Sequence, residues 1–205
     1  MYIVNDITEP YDRRGHQHAV ETAIINLCRA TGGRALVLFT SYEQLRRTSQ
    51  TISPILAKNN IMVYEQGEGA SPHSLLESFR NADRAVLLGT RAFWEGVDVP
   101  GEALSVLVIV KLPFDVPSDP IVAARSETFD DPFMEYSLPE AILKFRQGFG
   151  RLIRTQSDRG AVVILDKRIL SKKYGKSFIE SLPPCTTRAG SLSEMPRTIQ
   201  KWLNI

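Results

Sequence analysis

The chain has 205 residues, of which 43% are hydrophobic and 23% are charged, and its formal net charge is +2. A chain of this length and hydrophobic fraction can bury a sizeable core, so the composition excludes disorder throughout. A net charge this small does not indicate a nucleic-acid-binding protein by bulk electrostatics, so any basic surface must be local.

Cysteine use and hydropathy bear on the compartment. Cys28 and Cys185 lie far apart in the sequence, which indicates neither a zinc site nor a disulfide-rich scaffold and is typical of the reducing cytoplasm. The sequence has no apolar run of about 18 residues and no secretory signal at its start. We therefore predict a soluble cytoplasmic protein with no membrane segment.

Residues 1–18 are polar, and we predict an irregular lead-in there. His16 and His18 are expected to be exposed to solvent, since no carboxylate or cysteine cluster accompanies them as metal ligands. Apolar residues then recur at helical spacing up to Ala30, and the pattern ends at Gly32. A helix is therefore predicted before the first strand.

Several short apolar runs are typical of strands that are buried on both faces of a parallel sheet. Four such strands are predicted, at Ala35–Phe39, Ala85–Leu88, Ser105–Leu112 and Gly160–Asp166, and a further short strand is predicted at Ile61–Tyr64. Helices are predicted between them, one capped by Thr40 or Ser41 and one opened by Ser71 with Pro72 at its first position. Strands that alternate with helices predict an α/β domain with a mainly parallel sheet.

Two long segments lack the periodicity of helices and strands. Thr90–Leu104 is predicted to be a functional loop, because ligands of parallel sheets bind at the carboxyl ends of strands. Residues 113–139 contain five prolines and are predicted to be an irregular insertion. The domain core is expected at about residues 34–182, and a polar tail, about 183–205, ends in a short helix near Arg197–Leu203.

The segment Leu138–Thr155 is predicted to be an amphipathic helix with one apolar face. The opposite face carries Gln147, Arg151 and Arg154. An amide and two guanidiniums can converge on one anionic ligand such as a polyphosphate, although a solvated basic face is an equal alternative. Gly148 and Gly150 each cost a helix about 1 kcal/mol relative to alanine, so they indicate that another backbone or a ligand comes close.

The sequence contains no recognisable phosphate-binding loop. Gly175-Lys176-Ser177 looks like the end of a Walker A loop, but the pattern requires a glycine where Leu170 stands. No other stretch supplies such a loop or a paired-acid magnesium site. The chain by itself is not expected to hydrolyse a nucleotide, but its arginines suit a phosphoryl group that is held elsewhere.

Four stretches have the sequence of known motifs: LVLFTSYEQL at Leu36–Leu45, GTRAFWEGVDVPGEAL at Gly89–Leu104, KLPF at Lys111–Phe114 and QGFGRLIR at Gln147–Arg154. The first, second and last resemble motifs IV, V and VI of superfamily 2 helicases of the DinG/XPD-like branch. KLPF resembles the usual continuation in that branch. The similarity extends over nearly the whole chain, and the bacterial DinG type looks closer than the eukaryotic type.

The resemblance implies a second RecA-like domain, that is, a mainly parallel sheet flanked by helices without a Walker A loop. ATP with Mg would be held mainly by a first RecA-like domain, which this chain lacks and which would be its partner. The chain is then expected to be the C-terminal part of a longer helicase. An iron–sulfur cluster, present in many members, could belong only to the absent part.

The resemblance also implies roles at the nucleotide. Arg151 and Arg154 would be arginine fingers at the terminal phosphate, and Gln147 would contact the nucleotide. The residues implied in the motif V loop are Glu95 and Gly96, which would shape it, and Asp98, which would bind the nucleotide or couple it to motif VI. Without the resemblance, Asp98 is better interpreted as a turn residue.

Five residues are implied to contact single-stranded DNA: Thr40, Ser41, Thr90, Arg91 and Trp94. Hydroxyls and backbone amides suit a grip on phosphates that does not read sequence. Thr40 and Ser41 alternatively only cap a helix, and Trp94 is alternatively a buried or domain-interface aromatic.

The leading hypothesis is the second motor domain of an ATP-dependent DNA helicase of DinG type, associated with the bacterial nucleoid and inactive as an isolated chain. The alternative from another class is a non-catalytic helicase-like module that binds nucleic acid or protein. Within the resemblance, the full protein could also be a nuclease rather than an unwinding enzyme. The sequence leaves these alternatives open.

Overall fold

A single sheet of parallel strands forms the centre of the protein. The computed structural model describes residues 1–67, 71–95, 104–150, 152 and 160–205, without the side chains of Arg91 and Glu95. The strands are β1 (Tyr2–Val4), β2 (Ala35–Leu38), β3 (Met62–Glu65), β4 (Ala85–Gly89), β5 (Val106–Ile109), β6 (Ala161–Ile164) and β7 (Arg188–Gly190). Their order in the sheet is β3-β4-β2-β5-β6-β1-β7, and every strand pair among the described residues is parallel.

Helices cover both faces of the sheet. They are α1 (Arg13–Thr31), α2 (Tyr42–Ala57), α3 (Pro72–Asn81), α4 (Arg91–Glu95), α5 (Pro120–Ser126), α6 (Leu138–Phe149), α7 (Arg168–Ser171), α8 (Gly175–Glu180) and α9 (Met195–Leu203). A π-helical turn, Phe133–Ser137, leads directly into α6. Helices α1, α2 and α9 pack on one face, and α3, α4, α6 and α8 pack on the other.

Strand β2 shows why the core has two halves. Ala35 and Val37 are buried on the α1 side, and Leu36 and Leu38 are buried on the α6 side. Successive side chains of a strand point to opposite faces, so an all-apolar strand requires helices on both faces. The mainly parallel sheet and its flanking helices, predicted from such runs, are confirmed.

The predicted helix starts are also present. Ser41 Oγ accepts a hydrogen bond from the Gln44 backbone N–H at 3.3 Å and caps α2. Ser71 Oγ accepts from the Ser74 N–H at 3.1 Å, and Pro72 takes the first position of α3. Both caps satisfy a backbone donor that has no partner inside its own helix.

The prediction of an irregular lead-in over residues 1–18 is wrong. Tyr2–Val4 is buried and lies in the sheet between β6 and β7, and α1 already begins at Arg13. A strand of three residues is too short to show a recognisable hydropathy pattern. Its hydrogen-bond partners are more than 150 residues away, so the neighbouring sequence does not indicate the pairing either. The polar tail likewise contains β7, in addition to the predicted last helix.

His16 was predicted to be exposed, and this is also wrong. Only 1% of its surface is exposed, and Nε2 donates a hydrogen bond to the Leu165 carbonyl at 2.9 Å. Burial, and secondarily the positive charge of Lys111, lowers the pKa of His16. His18, two residues later and on the opposite side of α1 from His16, is exposed as predicted.

The segments predicted to be irregular are partly helical. Residues 113–139 contain α5 and the π-helical turn, and the motif V segment begins with α4. Phe114 stacks on Phe133 with ring centroids 5.8 Å apart and meets Phe178 edge-on at 5.7 Å. These aromatic contacts hold the insertion against the body of the domain. In the described part of the chain, no helix has both the length and the apolar character needed to cross a membrane.

Candidate nucleotide and nucleic-acid sites

Two of the residues predicted to contact DNA, Thr40 and Thr90, lie at one edge of the sheet together with Lys111 of the KLPF segment. Thr40 follows the carboxyl end of β2, Thr90 follows that of β4, and Lys111 follows that of β5. Because all three strands are parallel and adjacent, their carboxyl ends meet at the same edge. Two cavities open there, one lined by Thr40 and the other by the next residue, Ser41.

The first, here called the β2–β4 cavity, has a volume of about 290 Å³. Its lining includes Thr40, Tyr42, Thr90, Trp94, Phe114 and Lys144. The fold thus brings together three of the residues predicted to contact DNA, which come from two separate motifs. Gln66 Oε1 holds Thr90 in place, since it accepts from the backbone N–H and from the hydroxyl, each at 2.8 Å.

Trp94 is a buried residue, as its alternative interpretation stated. It is 3% exposed, and its indole Nε1 donates to the Phe39 carbonyl at 3.1 Å. The ring also lies against α6, because a Cβ added to Gly148 would come within 2.7 Å of two ring carbons. A base could reach only the part of the ring that lines the cavity. Gly148 is therefore explained by the close approach of an aromatic side chain rather than of a backbone or ligand.

The second cavity, here called the basic cavity, has a volume of about 450 Å³. Its lining includes Arg13, His16, Ser41, Gln44, Arg47 and Lys111. Ser41 is therefore separated from Thr40 and faces a different cavity. The sequence patterns missed Arg13 and Arg47, because a single arginine on the polar face of a helix carries no signal of what it lies next to.

Asp166 joins two segments at this edge of the sheet, the KLPF segment and the start of α7. Its carboxylate is fully buried and accepts from the Leu112 N–H at 2.8 Å and from Arg168 Nη2 at 2.6 Å. The Arg168 guanidinium in turn lies 5.6 Å from the centre of the Phe114 ring. The backbone of the KLPF segment is thus hydrogen-bonded to the end of β6. Arg168 is thus the ion-pair partner of a buried carboxylate rather than a freely solvated cation.

The predicted nucleotide-binding face is described only in part. Gln147 is exposed near the end of α6 and lines a cavity of about 400 Å³ with Arg146, Phe149, Pro183 and Cys185. Helix α6 ends at Phe149, and Gly150 follows as its C-cap. Arg151, Arg154, Gly96 and Asp98 lie outside the described residues, as do the side chains of Glu95 and Arg91. Their assigned roles stay predictions.

The structure explains the Gly175-Lys176-Ser177 segment, which resembles the end of a Walker A loop. Gly175 begins α8 where a Cβ would collide with the Ile169 carbonyl of α7, so the glycine permits close packing of two short helices. Lys176 forms an exposed ion pair with Glu180 at 3.0 Å. No strand leads directly into Gly175, since β6 ends at Ile164 and α7 intervenes. Its rejection as a phosphate loop agrees with this arrangement.

A parallel sheet covered by helices on both faces, with candidate binding residues at the carboxyl edge, is the arrangement found in RecA-like helicase domains. The chain belongs to the helicase C-terminal domain family, whose model matches residues 24–185. It is a C-terminal helicase domain of the DinG/XPD-like type.

Named proteins of similar sequence support this assignment. The chain is 44% identical over 167 residues to the 3'-5' exonuclease DinG of Bacillus subtilis (strain 168), an alignment of 79% of this chain and 17% of that protein. It is 43% identical over 162 residues to the ATP-dependent DNA helicase YoaA of Escherichia coli (strain K12), covering 77% of this chain and 25% of that protein. The chain thus spans a quarter or less of the length of these relatives.

Solved structures show the same fold. One titled XPD_Helicase superposes with a TM-score of 0.66 at 26% identity, over 92% of this chain and 35% of that one. The C-terminal domain of the DEAD-box protein Dbp5 superposes with a TM-score of 0.57 at 16% identity, over 98% of this chain and 96% of that one. The second likeness concerns the fold alone.

Proposed function

We propose that this chain is the second motor domain of an ATP-dependent DNA helicase of DinG type. In the whole protein it would face ATP and Mg that are held mainly by a first RecA-like domain. Arg151 and Arg154 would stabilise charge on the terminal phosphoryl group, and Gln147 would contact the nucleotide. Such a protein would act on DNA in the cytoplasm, at the bacterial nucleoid.

One observation carries the proposal: Trp94 links the predicted DNA edge to the predicted nucleotide helix. Its indole N–H is bonded to the Phe39 carbonyl next to Thr40, and its ring packs on Gly148 of α6, next to Gln147. A tightly packed contact transmits a displacement, because interiors have few voids that could absorb it. A shift of α6 on nucleotide binding or release would therefore reach residues 39–42.

The DNA grip would involve hydroxyls and amides rather than base-specific groups. Thr40 and Thr90 line one cavity, Ser41 lies at the start of α2, and Arg91 is the first residue of α4. The amino ends of helices attract anions, since their first backbone N–H groups lack partners inside the helix. Glu95, Gly96 and Asp98 would form the loop between this grip and the nucleotide.

The arginine-finger assignment is tested by Arg151→Ala and Arg154→Ala in the longer protein that contains this domain. Each variant is expected to lower DNA-stimulated ATP hydrolysis on the order of a thousandfold, which is the usual contribution of an arginine finger. Arg125→Ala, at an exposed arginine of α5, is the matched control and should retain full turnover.

Thermal unfolding of each variant separates loss of fold from loss of function. Near-normal hydrolysis by Arg151→Ala and Arg154→Ala would contradict the assignment. The isolated 205-residue chain should show no DNA-stimulated hydrolysis. If it binds single-stranded DNA tightly at moderate salt, a non-catalytic binding module becomes the better interpretation.

A further inference from the structure

The basic cavity holds more positive charge than its surroundings neutralise. Arg13, Arg47 and Lys111 line it, against one carboxylate, that of Glu43. Within the described residues, none of the three cations has a carboxylate at ion-pair distance. Unpaired cations around a concave surface concentrate the electrostatic field and attract an anion.

Lys111 is the most constrained of the three cations. It is half-buried at the carboxyl end of β5, and burial, followed by the charges of Arg168 and Arg13, lowers its pKa. Asp166 opposes this shift, but that carboxylate is already engaged with Leu112 and Arg168. An anion in the cavity would relieve the repulsion among these positive groups.

Gln44 supplies an independent sign of an absent ligand. It lines the same cavity and is 8% exposed, and its Oε1 has no hydrogen-bond partner within the described residues. Ser41 and Gln44 have the spacing of a capping box, in which the glutamine side chain returns to the backbone N–H of the cap residue. Only the Ser41 half is formed here. The Gln44 oxygen is therefore a buried acceptor without a donor, and a rotation of the side chain toward the cavity would present it to a ligand.

We propose that the basic cavity binds one nucleotide unit of single-stranded DNA, with a phosphate on Arg13, Arg47 and Lys111 and a base N–H donated to Gln44 Oε1. The volume of about 450 Å³ is within the usual range for a small-molecule site. Thr40 lines the β2–β4 cavity and the next residue, Ser41, lines the basic cavity, so neighbouring nucleotides of one strand would occupy the two cavities. This proposal rests on the proposed function, which places DNA at this edge of the sheet.

The test is the affinity of this chain for a fluorescein-labelled single-stranded 12-mer, measured by anisotropy over a range of salt concentrations. Arg47→Met is expected to weaken binding about fivefold and to reduce the salt slope by about 0.7, the value for one lost phosphate contact on a single strand. Arg46→Met is the matched control, because Arg46 immediately precedes Arg47 in α2, carries the same charge and is not in the lining. It should change the affinity less than about twofold.

Two further variants change the cavity without changing its size. Glu43→Gln removes the opposing carboxylate and should tighten binding. Gln44→Met keeps the length of the side chain and removes the unpaired oxygen. It should weaken binding without lowering the thermal stability of the chain, whereas a purely structural glutamine would lower the stability and leave the affinity unchanged.

Free nucleotides share the phosphate chemistry, so binding of dAMP is measured on the same variants by calorimetry. If Arg47→Met weakens dAMP binding but not binding of the 12-mer, the cavity is a free-nucleotide site and the proposal is overturned. Equal effects of Arg46→Met and Arg47→Met would also overturn it, and the proposed function would then still stand. If the unaltered chain fails to bind the 12-mer even at low salt, the DNA grip of the proposed function fails as well.

Discussion

His16 shows at the scale of one residue how a buried polar group ties helix to sheet. Its Nε2 donates to the Leu165 carbonyl just beyond β6, so the ring joins α1 to the carboxyl edge of the sheet. A buried imidazole is stable there in its neutral form, because desolvation and the positive charges of Lys111 and Arg168 both oppose protonation.

This environment predicts a pH dependence of stability. The pKa of His16 is lower in the folded chain than its ordinary value of 6.5, so the unfolded chain takes up the proton first as the pH falls. The contribution of neutral His16 is complete above pH 6.5 and is lost as the pH falls from there through the folded pKa. The stability advantage of the wild type over His16→Gln should therefore be larger at about pH 7.5 than at about pH 5.5.

Urea unfolding of both proteins at the two pH values measures this difference. Other titrating groups act equally on wild type and variant, so they cancel in the comparison. If the advantage stays constant over the interval, His16 does not change its protonation between the folded and unfolded states.

At the scale of elements, α4 and α6 pack together through Trp94 of α4, whose ring lies on Gly148 of α6. The Trp94 ring occupies the space that a Cβ of Gly148 would need, and Leu38 of β2 lies 3.3 Å from the same position. This explains why α6 keeps a glycine despite its cost to helix stability. It also makes the relative position of the two helices sensitive to a single methyl group.

Gly148→Ala is expected to destabilise the fold by about 1–2 kcal/mol, because the cost of overpacking exceeds the gain in helix propensity. Gly150→Ala is the matched control two residues later. Its Cβ would be no nearer than 3.4 Å to the Arg146 carbonyl, and its φ of −64° suits alanine. Gly150→Ala should thus be neutral or stabilising by up to about 1 kcal/mol.

Urea denaturation of the two variants measures the contrast. Replacing Trp94 by phenylalanine should reduce the penalty of Gly148→Ala, because the smaller ring leaves room for the methyl group. Equal stability of Gly148→Ala and Gly150→Ala would show that the α4–α6 contact is not tightly packed.

At the scale of the whole molecule, the two ends of the chain close one side of the sheet. β1 pairs with both β6 and β7, and the Met195 and Ile199 side chains of α9 are buried in the same core half as Val20 and Ile24 of α1. The domain therefore extends beyond residues 34–182, which the sequence indicated as its core.

A chain that ends at residue 182 is expected to lose several kcal/mol of stability. Each buried apolar side chain contributes about 2 kcal/mol, and deletion of β7 exposes the backbone edge of β1. Removal of Ile205 alone is the control, because its side chain is 63% exposed. Circular dichroism during thermal unfolding compares the two. A shortened chain as stable as the full one would contradict the role of β7 and α9.

Local sequence patterns were sufficient to predict the class of fold and the position of several candidate site residues. Fully apolar runs such as Ala35–Leu38 require cover on both faces, and serine caps mark helix starts at any position in a fold. The motif sequences were specific enough to indicate a DinG/XPD-like C-terminal helicase domain, which the comparisons confirm. Thr40 and Thr90 could also be placed at one edge, because parallel neighbouring strands end together.

The sequence by itself therefore determined the α/β class, the family and the carboxyl edge where the candidate binding residues collect, since these depend on short-range periodicity and spacing. Only the tertiary structure decided that Tyr2–Val4 is a sheet strand, that His16 is buried, and that Arg13, Arg47 and Lys111 surround one cavity. Each of these depends on contacts between segments far apart in the chain. Such contacts leave no periodic pattern in either segment, so they appear only when the folded chain brings the segments together.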